Sequence, residues 1–126
     1  MTEKINHPAH YLANGVEVID FIESHKLGFS DGNAVKYLVR AGKKNPDTEI
    51  EDLEKALWYI NRLIEKKYKM QYFGGILVPE LVTAHQLNDS VGRIIACIVL
   101  GSFIKARTKL TAYISDLKKA KENLAD

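Results

Sequence analysis

Two amphipathic segments on either side of a short turn constrain the fold of this chain more than any other feature. The turn is Asn45-Pro46-Asp47, a combination that favours a chain reversal. Before it, apolar residues recur at helical spacing between Ser30 and Gly42, and after it they recur from Ile50 to Ile64. Two amphipathic helices joined by a short connection predict an antiparallel helical hairpin whose apolar faces meet.

The residues at the ends of these segments favour helix caps. Ser30 or Asp31 is expected to cap the earlier helix, and Asp47 or Thr48 the later one. Acidic residues follow the second cap and lysines end that helix, which is the charge distribution that the helix dipole favours. Both segments therefore carry their own start signals.

The chain on either side of the predicted hairpin is less regular. Apolar residues between Val16 and Ile22 predict a short helix that ends near Gly28, preceded by an arm formed by residues 1–14. Residues 69–87 contain glycines and a proline that break the helical spacing. We therefore predict that they form a connection.

The C-terminal segment, residues 88–126, predicts one long helix or a helix pair that breaks near Gly101-Ser102, because its apolar residues recur every three or four positions. Within it, Ile94–Ile104 is apolar nearly all round, and a small monomer would struggle to cover such a surface. We expect this segment to mediate homo-oligomerisation. Its lone Cys97 is expected to be a buried thiol in a reducing compartment.

Length and composition indicate one all-α domain over residues 1–126, with its hairpin region in residues 1–68. The chain is 46% hydrophobic and 27% charged, as globular proteins are. Its net charge of +2 is too small to predict non-specific nucleic-acid binding. The longest stretch without a charge or an amide has 11 residues, whereas a membrane span needs roughly 20. We expect a cytoplasmic protein without a membrane partner.

Each helix of the predicted hairpin carries a polar stripe at helical spacing. The stripes consist of Asn33, Lys36, Tyr37 and Arg40 on the earlier helix, and of Asp52, Lys55, Tyr59 and Arg62 on the later one. If they converge, they bring two or three cations together with a carboxylate, an amide and two phenols. Alternatively, Asp52 pairs with Arg40 or Lys55 on a solvated face, as exposed helical ion pairs commonly do.

Converging stripes would suit a nucleotide. Arg40 can bind phosphate oxygens through two parallel hydrogen bonds, and Lys36 and Lys55 can add positive charge. Asn33 can read a base edge or a sugar hydroxyl, and a tyrosine of either stripe can stack on a base. Trp58, in contrast, is expected to be a core residue.

The arm adds His7, His10 and Tyr11 to the candidate residues. Two histidines without a cysteine cluster or an HExxH pattern give little support for a metal site. The imidazoles could lie near a phosphate, or they could bond to backbone groups while the arm packs on the hairpin. The stretch AGKKNPDT follows a helix and lacks the full P-loop motif, which disfavours a conventional nucleotide-kinase fold.

Four blocks occur in order between residue 7 and about residue 65, namely HPAHY, GVEVIDFIE, GNAVKYLVRAGKK and EIEDLEKALWYINRLI. Together they resemble the SaV-like family of small phage proteins, formerly a domain of unknown function. One podovirus member of that family is a nucleotide kinase that acts without a P-loop and forms a large oligomer. The resemblance implies a phage protein located in the host cytoplasm, and it does not cover the chain from Lys69 onward.

The implied activity is phosphate transfer from a nucleoside triphosphate to a deoxynucleoside monophosphate. No cofactor is required, although magnesium could assist. The catalytic candidates are His10, Lys36, Arg40 and Asp52. The substrate-binding candidates are His7, Tyr11, Asn33, Tyr37, Lys43, Lys55 and Tyr59.

Two other functions stay open on the sequence alone. An oligomeric phage protein could sequester a nucleotide, or a cyclic-nucleotide signal of host defence, without changing it. A helical interaction module could instead inhibit a host protein through residues 88–126. The first alternative uses the same polar stripes, whereas the second does not need them.

Overall fold

The computed structural model describes residues 15–125, and this part of the chain is helical without any β-strand. The helices are α1 (Val18–Ser24), α2 (Phe29–Arg40), α3 (Glu49–Glu65), α4 (Val78–His85), α5 (Asp89–Val99) and α6 (Phe103–Ala125), with a 3-10 turn, Pro46–Thr48, before α3. The expected all-α class is thus confirmed for these residues. None of these helices is long and apolar enough to cross a membrane.

Helix α3 makes the most extensive helix–helix contact of the described residues, with α2. It packs against α2 and against α6, while α5 contacts α2, α4 and α6. The core that results consists of fully buried apolar side chains, the largest of which are Phe21, Leu38, Leu53, Ile60, Leu81, Ile94, Ile95, Ile98 and Leu110. Burying a side chain of this size contributes about 1.5–3 kcal/mol. This packing leaves the polar sides of α2 and α3 at the surface.

The connection between α2 and α3 is held by local hydrogen bonds. The Asn45 side chain accepts a bond from the Asp47 backbone N–H at 3.0 Å, and the Thr48 hydroxyl donates to the Asn45 carbonyl at 2.9 Å. Thr48 occupies the N-cap position of α3 but makes no capping bond with its side chain. The turn therefore lies where the sequence predicts it, and the Asn45 side chain caps the 3-10 turn that precedes α3.

Helix α2 begins earlier than the sequence suggests. Its N-cap is Gly28, and Asp31 is the third helical residue, fully buried, with Oδ1 accepting a bond from the Gly32 N–H at 3.1 Å. Burial raises the pKa of the Asp31 carboxyl above its ordinary value of 3.8, and backbone hydrogen bonds from Gly28, Asp31 and Gly32 oppose that rise. An acidic residue at the third position can reach back to the N-cap backbone, which explains why Asp31 stands inside the helix.

The sequence predicts a connection over residues 69–87, but in the structure these residues include helix α4. Pro79 lies in the first turn of α4, where a missing N–H leaves no hydrogen bond unmade. The same proline that suggests a break in the sequence therefore starts a helix. Upstream of α4, Ile76 is bound to α1, because its N–H donates to the Ser24 hydroxyl at 3.0 Å and its carbonyl lies 2.6 Å from His25 Nε2.

The C-terminal segment forms a helix pair, α5 and α6, that is separated at Gly101. Gly101 has a φ of +76°, a conformation that suits glycine after a helix. The chain itself covers most of the apolar stretch, since α5 packs against three other helices and Cys97 is buried as expected. Leu100 and Ile104 are the exceptions, at 63% and 62% exposure.

Candidate functional site

Three cationic side chains surround one tyrosine ring. The ammonium groups of Lys36 and Lys55 lie 4.9 Å and 5.5 Å from the centroid of the Tyr37 ring, and the Arg40 guanidinium carbon lies 5.6 Å from it. Lys36 and Arg40 belong to α2, whereas Lys55 comes from α3. The structure therefore brings together the cations of the two polar stripes. We call Lys36, Arg40 and Lys55 the cation cluster.

Among the described residues, the cation cluster is only partly neutralised. Lys55 forms an ion pair with Glu51 at 3.6 Å, one turn earlier on α3. Within residues 15–125, no carboxylate lies within 4.0 Å of Lys36 or Arg40. In the part of the chain that the structure describes, one carboxylate therefore pairs with a cluster of three cations. The exposed Lys55–Glu51 pair itself contributes only about 0.3–0.5 kcal/mol.

Asp52 does not make the ion pairs that the solvated-face alternative requires. Among the residues that the structure describes, it forms no ion pair with Arg40 or Lys55. Its side chain is buried, with 5% exposure, although it stands only one turn before Lys55 on α3. A buried carboxylate thus lies on the helix that supplies one member of the cation cluster.

An aromatic cluster adjoins the cation cluster. The rings of Tyr37 and Tyr59 stack at 6.1 Å with an interplanar angle of 12°, which joins α2 to α3. Phe29 and Trp58 approach Tyr59 edge-on, with centroid distances of 6.0 Å and 5.1 Å. We call Phe29, Trp58 and Tyr59 the aromatic cluster.

The expected core position of Trp58 is wrong, because this side chain is 60% exposed. The buried positions of α3 include Leu53, Ala56, Ile60 and Leu63, which follow each other at three- and four-residue steps. Trp58 falls outside that series, so the phase of the apolar pattern could have placed it at the surface. Phe29, at the start of α2, is 76% exposed and carries no comparable signal in the sequence.

Two other predicted site residues donate hydrogen bonds to backbone carbonyls. The Asn33 amide Nδ2 donates to the Phe29 carbonyl at 2.7 Å, within α2. The Lys43 ammonium donates to the carbonyls of His85 and Gln86, at the C-terminal end of α4. A cation at that end of a helix is favoured by the helix dipole. Lys43 is therefore not among the cations around Tyr37.

A mainly apolar cavity of about 340 Å³ lies beside Lys36 of the cation cluster and is lined by Lys36, Glu17, His85 and three apolar residues of α1. His85 is held there by a 2.6 Å contact between its Nε2 and the Val16 carbonyl. Lys36 thus lies between the Tyr37 ring and this cavity.

The remaining candidates, His7, His10 and Tyr11, lie outside the described residues. Within residues 15–125, no group of three or more His, Cys, Asp or Glu side chains could hold a metal ion.

Comparison with known proteins links the site to a family. Residues 5–61 match the model of a family described as a protein of unknown function, DUF3310. No curated protein and no solved structure matches the chain. The matched range includes α1, α2 and most of α3, and hence both the cation cluster and the aromatic cluster. Over these residues the chain is similar to an uncharacterised family, whereas α4, α5 and α6 lie beyond the match.

Proposed function

We propose that this protein binds a nucleotide and that the cation cluster holds its phosphate groups beside Tyr37. The observation that carries the proposal is the convergence of Lys36, Arg40 and Lys55 on one ring from two helices. Like charges that gather around one ring repel each other, so a site of this kind is stabilised when an anion binds to it. A guanidinium and two ammonium groups also match the needs of a phosphate, which accepts several charge-assisted hydrogen bonds.

We infer that α2 and α3 are the two arms of an antiparallel hairpin and that this arrangement creates the site. Two contacts support it. Phe29, at the start of α2, meets Tyr59 in the second half of α3, and Gly42, just after α2, lies against the Glu49 side chain at the start of α3. We further propose that His7, His10 and Tyr11 cover the phosphates from the N-terminal arm, and that the C-terminal helices support a homo-oligomer.

We propose phosphate transfer to a deoxynucleoside monophosphate as the reaction of this site. An oxygen of the acceptor phosphate would attack the terminal phosphorus of a nucleoside triphosphate, and a nucleoside diphosphate would leave. This reaction depends chiefly on positioning and on compensation of negative charge, which the cation cluster can supply. The buried carboxylate of Asp52, one turn from Lys55, supports a role in orienting the acceptor, and we assign a similar role to His10.

Sequestration of an intact nucleotide, or of a cyclic-nucleotide signal of host defence, is the alternative. It is favoured by the exposure of all three members of the cation cluster, because phosphate transfer benefits from a site that excludes water. A holding site needs no catalytic group. The two functions share one binding site and differ only in what happens to the ligand.

One experiment tests binding and separates the two outcomes. The purified protein is titrated calorimetrically with each deoxynucleoside monophosphate and with cyclic nucleotides. It is then incubated with each monophosphate and several triphosphates, with and without magnesium. Formation of diphosphate supports the kinase. Stoichiometric binding followed by recovery of unchanged nucleotide after denaturation supports sequestration. Absence of binding for every nucleotide tested, cyclic ones included, would contradict the proposal.

A further inference from the structure

Packing in the core accounts for Tyr59 but not for the two exposed members of the aromatic cluster, Phe29 and Trp58. Trp58 and Phe29 each expose more than half of their surface although they are among the largest apolar side chains of the protein. Single exposed apolar residues are common, but these two contact the same ring, that of Tyr59. Their position therefore requires an explanation other than packing.

The aromatic cluster is continuous with the cation cluster. Tyr59, which both exposed rings approach edge-on, stacks in parallel on Tyr37. Tyr37 in turn is the ring around which the three cations gather. Positive charge at one end and exposed aromatic side chains at the other form an arrangement that fits a ligand with a phosphate and a planar ring.

We propose that Trp58 and Phe29 form the base-binding part of the site and that they hold the base by stacking. This inference rests on the proposed function and adds a statement about specificity. Every nucleobase has a π-face, so recognition by stacking is tolerant of base identity. The Asn33 amide, which the sequence suggests as a reader of the base edge, donates one of its two N–H groups to the Phe29 carbonyl within its own helix.

The proposal therefore states that the site accepts purine and pyrimidine nucleotides with affinities that differ by less than roughly tenfold, which corresponds to differences in stacking energy below about 1.4 kcal/mol. A site that read the base edge through hydrogen bonds would discriminate far more strongly, because a mismatched base would leave buried polar groups unpaired.

The experiment uses the emission of Trp58, the sole tryptophan of the chain. The full-length protein is titrated with the four deoxynucleoside monophosphates, and in parallel with deoxyribose 5-phosphate and inorganic phosphate, which carry no base. We expect all four nucleotides to quench the emission and the two ligands without a base to leave it unchanged. Arg40→Gln should shift the quenching to higher nucleotide concentrations.

Substitutions test the same point by calorimetry. Trp58→Leu should weaken nucleotide binding by roughly 5- to 140-fold, the range that corresponds to the loss of one stacking contact. Phe29→Leu should weaken it in the same direction. The matched control is Phe73→Leu, which removes another exposed aromatic ring that has a lysine, Lys26, over its face at 5.8 Å. This control should bind nucleotides as the unmodified protein does.

Several results would overturn the inference while leaving nucleotide binding intact. One is that nucleotides bind in the calorimeter while the emission of Trp58 stays unchanged. Another is that Trp58→Leu binds nucleotides within twofold of the affinity of the unmodified protein. The third is that the protein prefers one base by far more than tenfold. An emission shift that follows protein concentration and not ligand would assign Trp58 to a subunit contact. Loss of all nucleotide binding in the unmodified protein would instead contradict the proposed function itself.

Discussion

Lys55 on α3 and Tyr37 on α2 meet across the helix pair, with the Lys55 ammonium 5.5 Å from the centroid of the tyrosine ring. A cation–π contact at an exposed site contributes about 0.5–1 kcal/mol, too little to hold two helices together. The apolar core holds the two helices together. The Lys55–Tyr37 contact lies where the polar stripes of the two helices meet. Variants of this surface should therefore change binding more than stability.

Arg40→Glu should remove most of the nucleotide affinity while the protein stays folded. The variant removes the only guanidinium of the cation cluster and places a carboxylate beside Lys36 and Lys55, where it competes with the ligand phosphate. We expect an affinity loss of about 10- to 100-fold or more, as for the loss of charged hydrogen bonds. Because Arg40 is exposed, the free energy of unfolding should change by about 0.5 kcal/mol or less.

The matched control is Arg93→Glu, which changes an exposed arginine on α5. Calorimetric titration and urea denaturation of both variants give the comparison. Equal loss of binding in the two variants would indicate a general charge effect, and unfolding of Arg40→Glu would show that Arg40 is a structural residue.

Asp31 should make the protein less stable as the pH rises through the acidic range. Burial raises the pKa of its carboxyl in the folded state. Between the ordinary value of 3.8 and that raised value, the unfolded chain loses the proton that the folded chain keeps. The free energy of unfolding therefore falls across this window by about 1.4 kcal/mol for each unit by which the two pKa values differ.

Asp31→Asn should remove this contribution, because an amide does not titrate while it can still accept the bond from Gly32. Urea denaturation at a series of pH values measures the effect. Asp89→Asn, in the exposed first turn of α5, is the control and should leave the Asp31 contribution in place. A pH profile of Asp31→Asn that equals that of the unmodified protein would count against this prediction.

Gly75→Ala should destabilise the contact between α1 and the segment that precedes α4. A β-carbon at Gly75 would lie 2.8 Å from the Ser24 hydroxyl and 2.9 Å from the Ser24 backbone carbonyl. The backbone must shift to relieve this clash, and the bond from Ile76 to Ser24 is lost with it. We expect a cost of about 1–3 kcal/mol, the usual range for overpacking.

Gly74→Ala is the control that shows how much stability is lost when a glycine with a positive φ is replaced without a steric clash. Gly74 has a φ of +81°, but a β-carbon there would contact no atom within 4 Å. It should cost about 1–2 kcal/mol through its backbone conformation alone. Thermal unfolding of both variants should rank Gly75→Ala as the less stable one, and the opposite order would refute the steric explanation.

The protein should form a homo-oligomer through the exposed apolar side chains at the turn between α5 and α6. Leu100 and Ile104 are the residues concerned. Ile104→Lys should lower the mass measured by light scattering while the helix content measured by circular dichroism stays unchanged, since its side chain packs little within its own chain. Ile19→Lys, which alters another exposed apolar residue on α1, is the control. A monomeric unmodified protein would disprove the oligomerisation prediction.

The helices were largely predictable because the signals for them are local. The apolar spacing of α2 and α3 and the Asn45 turn report the helical period and a chain reversal within a few residues. Helix α4 was missed for a related reason. Pro79 breaks a helix in its interior but is favoured in its first turn, and the sequence around it does not distinguish the two positions.

The sequence by itself determined the helical class, the two polar stripes and the residues from which an anion site can be built, because residue type and spacing suffice for each of these. Only the tertiary structure decided that Lys55 reaches the ring of Tyr37, that Phe29 on α2 contacts the ring of Tyr59 on α3, and that α5 is covered by its own chain. The physical reason is that these features depend on how far one helix is rotated and shifted against another. That geometry results from the packing of the whole core, and no single segment encodes it.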